Sequence, residues 1–185
     1  MRPRDNPFAV DRLHGLGFRG QAPAALWKLA LVRKRGALIG AEGAGKTTLL
    51  LEIADHVRAL GLRPVWIQLR RDERVLSAEQ RDALASLTGR DVVFVDGADL
   101  LPVLDRWWLS RRVHKATALL GTLHAPGWLP TLAKLTTSAA LLDDLVCELT
   151  GHPLAALPID RDAFYARHRG NLRAALRDLY DRVAA

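Results

Sequence analysis

Gly40-Ala41-Glu42-Gly43-Ala44-Gly45-Lys46-Thr47 fits G-x-x-x-x-G-K-[ST] at every fixed position. No other stretch of the chain constrains its fold so tightly. Before it, Gly36-Ala37-Leu38-Ile39 is a short apolar run of the kind that forms a buried parallel strand. After it, Leu49, Leu50, Ile53, Val57 and Leu60 recur at helical spacing, and Gly61 can cap that helix. Strand, glycine turn and helix together form a βα unit. The glycines let consecutive N–H groups point at phosphate oxygens, at the positive end of the helix. Lys46 supplies a point charge for β- and γ-phosphates, Thr47 a hydroxyl for Mg²⁺, and Thr48 reaches the α-phosphate. Residues 40–48 are therefore the candidate cofactor-binding loop, and ATP with Mg²⁺ the expected cofactors.

The rest of the chain extends that unit. Val65 to Leu69, Val92 to Val95 and Thr117 to Thr122 read as strands, with another over Leu129 to Leu135. Ser77-Ala78-Glu79-Gln80 has the capping-box pattern and opens a helix to about Leu87, and Pro102 to Lys115 is helical. A short helix over Ala24 to Val32 precedes the phosphate-loop strand. Strands alternating with helices predict a three-layer α/β/α parallel sheet. After Thr137 the pattern becomes all-helical, with segments starting at Ser138, Asp160 and Asn171. We expect an α/β domain over 1–136 and a helical lid over 137–185.

Composition excludes several classes. The balance of 49% hydrophobic and 25% charged residues is globular. No run approaches the ~18 apolar residues of a membrane-spanning helix, so membrane insertion is not expected. The single cysteine, Cys147, cannot close an internal disulfide, and MRPRDNPFAV lacks an apolar leader core; a cytoplasmic protein is the expectation. The formal charge is +7, but 22 of the 27 basic residues are Arg, a skew that codon usage also produces. Residues 1–36 carry eight basic and two acidic side chains, which makes the N-terminal segment the expected place for a polyanion such as DNA, a minority partner in this reading.

Asp96 ends the apolar strand Val92-Val93-Phe94-Val95, the pattern of a Walker B carboxylate that would hold Mg²⁺ beside Thr47. With these residues in place, the chain resembles the AAA+-like branch of P-loop ATPases over roughly 36–183. Leu119 to Pro126 is similar to that family's sensor strand, with His124 at the sensor position and Thr122 as a second candidate. Gly170-Asn171-Leu172-Arg173 is similar to the family's G-x-x-R turn, which makes Arg173 the candidate sensor-2 residue. Asn-Pro-Phe at 6–8 resembles the opening of small ATPases tied to transposition and secretion systems.

The chain also departs from that family. Where the resemblance implies a catalytic Glu after Asp96, the sequence has Gly97-Ala98-Asp99. Asp99 is the candidate to position water, with Glu42 and Glu73 as fallback bases. No Arg lies between Arg112 and Arg161, where the resemblance implies an arginine finger; either Arg111 or Arg112 serves in an oligomer, or a partner provides one, or the site is a switch. The resemblance thus implies a slow Mg-dependent ATPase that acts as a switch on a protein partner or in a homo-oligomer. Two rivals stand beside it: a small-molecule kinase, and a non-hydrolysing ATP-dependent adaptor that holds DNA. A strand inserted between the phosphate-loop strand and the Asp96 strand would favour the ATPase; direct adjacency would favour the kinase.

Overall fold

The computed structural model describes residues 6–184. Its elements run in the order α1 (Val10–His14), α2 (Pro23–Arg33), β1 (Arg35–Gly40), α3 (Lys46–Ala59), β2 (Arg63–Gln68), α4 (Ala78–Ala85), β3 (Asp91–Asp96), α5 (Val103–Arg112), β4 (Ala118–Leu123), β5 (Thr131–Leu135), α6 (Ala139–Thr150), α7 (Arg161–Arg167) and α8 (Leu172–Ala184). They fall into two compact units. One contains residues 18–40 and 46–134; the other contains 6–17, 41–45 and 135–184.

The first unit is built on the sheet, whose strand order is β2-β3-β4-β1-β5. The pairs β2–β3, β3–β4 and β4–β1 are parallel, with Val95 beside Gly121 and Leu38 beside Thr122. The central strands β1, β3 and β4 are almost wholly buried, as expected of parallel strands covered on both faces. Alternation sends Ala37, Ile39, Val93, Val95 and Leu119 to one face, where Leu84 of α4 and Leu109 of α5 close the core. Helices α2 and α3 cover the other face. There Leu49, Leu50, Ile53 and Val57 are fully buried, each contributing roughly 1.5–3 kcal/mol on leaving water. Ser77 caps α4 through a complete capping box with Gln80.

The helical unit has its own core. Leu142, Val146, Leu154, Phe164, Ala175 and Leu179 are buried together, and Phe8 joins them. Asn6 donates from Nδ2 to the Tyr180 carbonyl at 2.9 Å, while its Oδ1 accepts the Phe8 N–H. The Asn-Pro-Phe segment is therefore part of this helical core. Ser138 caps α6, and Gly151 ends it at φ 77°. Among the described residues no helix is long and apolar enough to cross a membrane.

The predicted elements match these, with short differences at their ends. The helix expected over Pro102 to Lys115 changes after Arg112 into a 3₁₀ turn, and a further 3₁₀ turn over Ala98–Leu100 follows Asp96. That second turn has no periodicity to announce it.

Candidate nucleotide site

Positive φ at Gly43 (76°) and Gly45 (82°) shapes the phosphate loop. Gly43 also lies against the start of α8. A Cβ there would stand 2.1 Å from Asn171 Oδ1 and 3.0 Å from the Leu172 nitrogen, so a larger residue fits only if the start of α8 shifts. Asn171 Oδ1 accepts the Ala174 N–H at 3.0 Å and so caps the first turn of α8. Gly170 is fixed from behind, its carbonyl accepting the Thr137 hydroxyl at 2.9 Å. The next turn residue, Arg173, is exposed. Asn171 carries a contact for which the sequence offered only its place inside the G-x-x-R turn.

Lys46 begins α3. Its side chain is 9% exposed and Nζ donates to the Gly40 carbonyl at 2.7 Å, which folds the ammonium back over its own loop. Ala41, Glu42 and Ala44 complete the loop, with Ala44 N–H bonded to the Ala41 carbonyl, and Thr48 follows Thr47 on the first turn of α3.

The Asp96 carboxylate is held from two sides. Thr47 Oγ1 donates to Oδ2 at 2.9 Å, and Thr122 Oγ1 donates to Oδ1 at 2.7 Å. Thr122, 2% exposed, also accepts the Gly97 N–H at 2.8 Å. A hydroxyl and a carboxylate converging in this way form an oxygen donor set of the kind Mg²⁺ takes, one or two protein ligands beside phosphate and water. The residues present therefore fit Mg²⁺ bound with a nucleotide.

Gly97 adopts φ 82°, and a Cβ there would approach the Leu69 carbonyl to 3.0 Å. A side chain of any kind would be strained at that position. Asp99 sits in the 3₁₀ turn beyond, with Nδ1 of His124 2.6 Å from its Oδ2. Its Oδ1 is buried and makes no hydrogen bond. The turn is pinned by Arg106, which donates to the Asp99 and Leu101 carbonyls, and by Trp128, which donates to the Ala98 carbonyl. His124 and Asp99 are thus one pair, while Thr122 is the residue that touches Asp96. Glu73, a fallback base by sequence, is exposed on the loop after β2.

No protein-family model matches the chain, and no curated protein matches it in sequence. Solved structures do match. The Thermotoga maritima RuvB Holliday junction branch migration motor aligns at TM-score 0.54 and 18% identity, over 85% of this chain and 58% of that one. Aeropyrum pernix Orc1, solved in complex with DNA, aligns at 0.62 and 18%, over 92% and 60%. The replication initiator DnaA, bound to AMPPCP and single-stranded DNA, aligns at 0.59 and 13%, over 89% and 61%. The chain thus spans about three-fifths of the length of the proteins it matches. Its phosphate loop, its strand order and these likenesses agree: the chain has the fold of an AAA+-like P-loop ATPase.

Proposed function

We propose that this protein binds Mg·ATP, hydrolyses it slowly, and uses the nucleotide state of its phosphate loop to switch its hold on a partner. One observation carries the reading: β4 lies between β1 and β3, and in that order the Asp96 carboxylate meets the Thr47 hydroxyl. Direct adjacency of β1 and β3 would have supported the kinase.

In this reading the N–H groups of residues 43–48 cradle the phosphates and Lys46 neutralises the γ-phosphate. Thr47 and Asp96 hold Mg²⁺, which when bound supplies charge neutralisation at the β- and γ-oxygens. Thr122 keeps the Asp96 carboxylate oriented. The Asp99–His124 pair positions the attacking water, and Arg173 of the helical unit reads the γ-phosphate, so that its loss on hydrolysis alters partner binding. The expectation of slow turnover rests on the absence of a Glu after Asp96 and of an Arg between Arg112 and Arg161. A general base contributes ~10²–10⁴ in rate, and an arginine finger ~10³–10⁵.

Phosphate release from Mg·ATP by the purified chain, beside Lys46→Ala and Asp99→Ala, tests this. Release lost in both variants supports the assignment. Nucleotide binding that survives Lys46→Ala unchanged would sink it.

A further inference from the structure

The parallel sheet has two rims. The phosphate loop and Asp96 lie at the C-terminal ends of the strands; the N-terminal ends form the opposite rim. Strand register brings four separate segments together there. Arg35 pairs with Leu119 in the sheet, and the Lys34 carbonyl accepts the Leu119 N–H at 2.9 Å. The Thr117 N–H bonds the Asp91 carbonyl at 2.7 Å, and Arg63 lies beside Asp91. Arg90 Nη2 donates to the Gly61 carbonyl at 3.2 Å, joining the start of β3 to the end of the α3 turn.

These segments, 33–35, 55–63, 88–91 and 114–117, hold seven Lys and Arg against two carboxylates. Both carboxylates are already engaged. Asp55 is ion-paired with Arg58, and Asp91, fully buried, takes Arg63 Nη2 at 3.0 Å together with both donors of Thr88. The four segments leave a net +5 of the +7 carried by all 185 residues. Codon usage would spread arginine over the whole surface; here twenty residues hold most of the excess. Helix C-termini account for part of it, since Arg33 and Arg58 sit in the last turns of α2 and α3. Arg63, Arg90 and Arg35 begin or precede strands and have no such role.

The geometry points to this rim as a docking surface for the phosphodiester backbone of a nucleic acid. A groove of about 660 Å³ opens at one end of it, lined by Arg58, Arg63, Thr88 and Arg90. From there the cations continue across four adjacent strands, roughly 14 Å at ~4.8 Å per strand. That arrangement offers a row of charges to a row of phosphates. The four segments contain no Phe, Tyr or Trp, so they lack the aromatic anchors on which protein interfaces concentrate their energy. Arg33, Lys34, Arg58, Arg63, Arg90 and Lys115 are all exposed. Of the expected N-terminal segment, the rim includes only residues 33–35, and the proposal does not depend on the nucleotide reading.

The test is binding of a fluorescein-labelled 20-base-pair DNA of arbitrary sequence, without nucleotide, across a salt series. Three proteins are compared: wild type, a rim variant (Lys34→Glu, Arg90→Glu, Lys115→Glu) and a control of equal charge change (Arg70→Glu, Arg167→Glu, Arg177→Glu). Wild type should bind with steep salt dependence. The rim variant should lose at least about 30-fold in affinity and about three units of salt slope, and the control less than about 3-fold. Thermal unfolding of all three checks that the rim variant is folded. Lys46→Ala should bind DNA as wild type does, which separates this result from any failure of the ATPase reading. Absence of DNA binding, equal loss in both triple variants, or rim-dependent capture of polyglutamate or phosphatidylserine vesicles in place of DNA would overturn the proposal.

Discussion

The hydroxyl of Thr122 donates to Asp96 Oδ1 at 2.7 Å while accepting the Gly97 N–H at 2.8 Å. It therefore couples β4 to the end of β3 and sets the direction of the carboxylate that faces Thr47. Thr122→Val keeps the shape and removes both bonds. We expect phosphate release to fall on the order of tenfold, with the Mg²⁺ midpoint shifted upward, because a mis-set ligand costs roughly 1.4 kcal/mol in the barrier. Steady-state kinetics across a Mg²⁺ titration measures it. Unchanged kinetics in a folded variant would remove Thr122 from the site.

Gly43 combines a left-handed backbone with contact against Asn171. Gly43→Ala should lower stability by more than about 1 kcal/mol and weaken nucleotide binding at least about tenfold. Combining it with Asn171→Ala should recover part of the loss, since that removes the contacts with the Asn171 side chain but leaves the Leu172 nitrogen at 3.0 Å and the φ of 76°. Calorimetric titration with AMPPNP and thermal unfolding of the single and double variants read the two parts separately.

Asp99→Asn and His124→Ala address the pair beyond Asp96. If the two side chains act together, either change lowers phosphate release by about 10²-fold or more, and the double variant is no worse than the single ones. Additive losses would show that they work apart.

Asp91 gives a pH signature. The hydrogen bond from Arg63, helped by those from Thr88 and opposed by burial, holds its carboxyl below the ordinary value of 3.8. A depressed carboxyl stabilises the fold fully above the unfolded value, and that contribution is lost as pH falls through the folded one. Asp91→Asn should therefore cost about 1–3 kcal/mol near neutrality, with the gap to wild type closing as pH drops below 4. Urea unfolding at several pH values tests this; a gap that widens in acid would contradict it.

Phe8→Ala empties a site 1% exposed in the helical core. A loss of about 3–5 kcal/mol is expected, seen as a lower midpoint in thermal unfolding. A change under 1 kcal/mol would show that the Asn-Pro-Phe segment does not support this unit.

What the sequence determined by itself was local. The phosphate loop, the helix after it, the capping box at Ser77 and the apolar run ending in Asp96 are each written in contiguous residues, and periodicity or a fixed spacing reveals them. The likeness to AAA+ ATPases was legible for the same reason, as an order of such motifs along the chain. Tertiary structure decided what depends on residues far apart. Only the insertion of β4 between β1 and β3 told Thr122, and not His124, to face Asp96, and left His124 to pair with Asp99. Only packing gave Asn171 its place against Gly43 and drew Phe8 into the helical core, contacts that no spacing rule encodes. The basic rim has the same origin. Parallel pairing aligns the starts of strands that lie tens of residues apart, so charges scattered through the sequence become neighbours on one face.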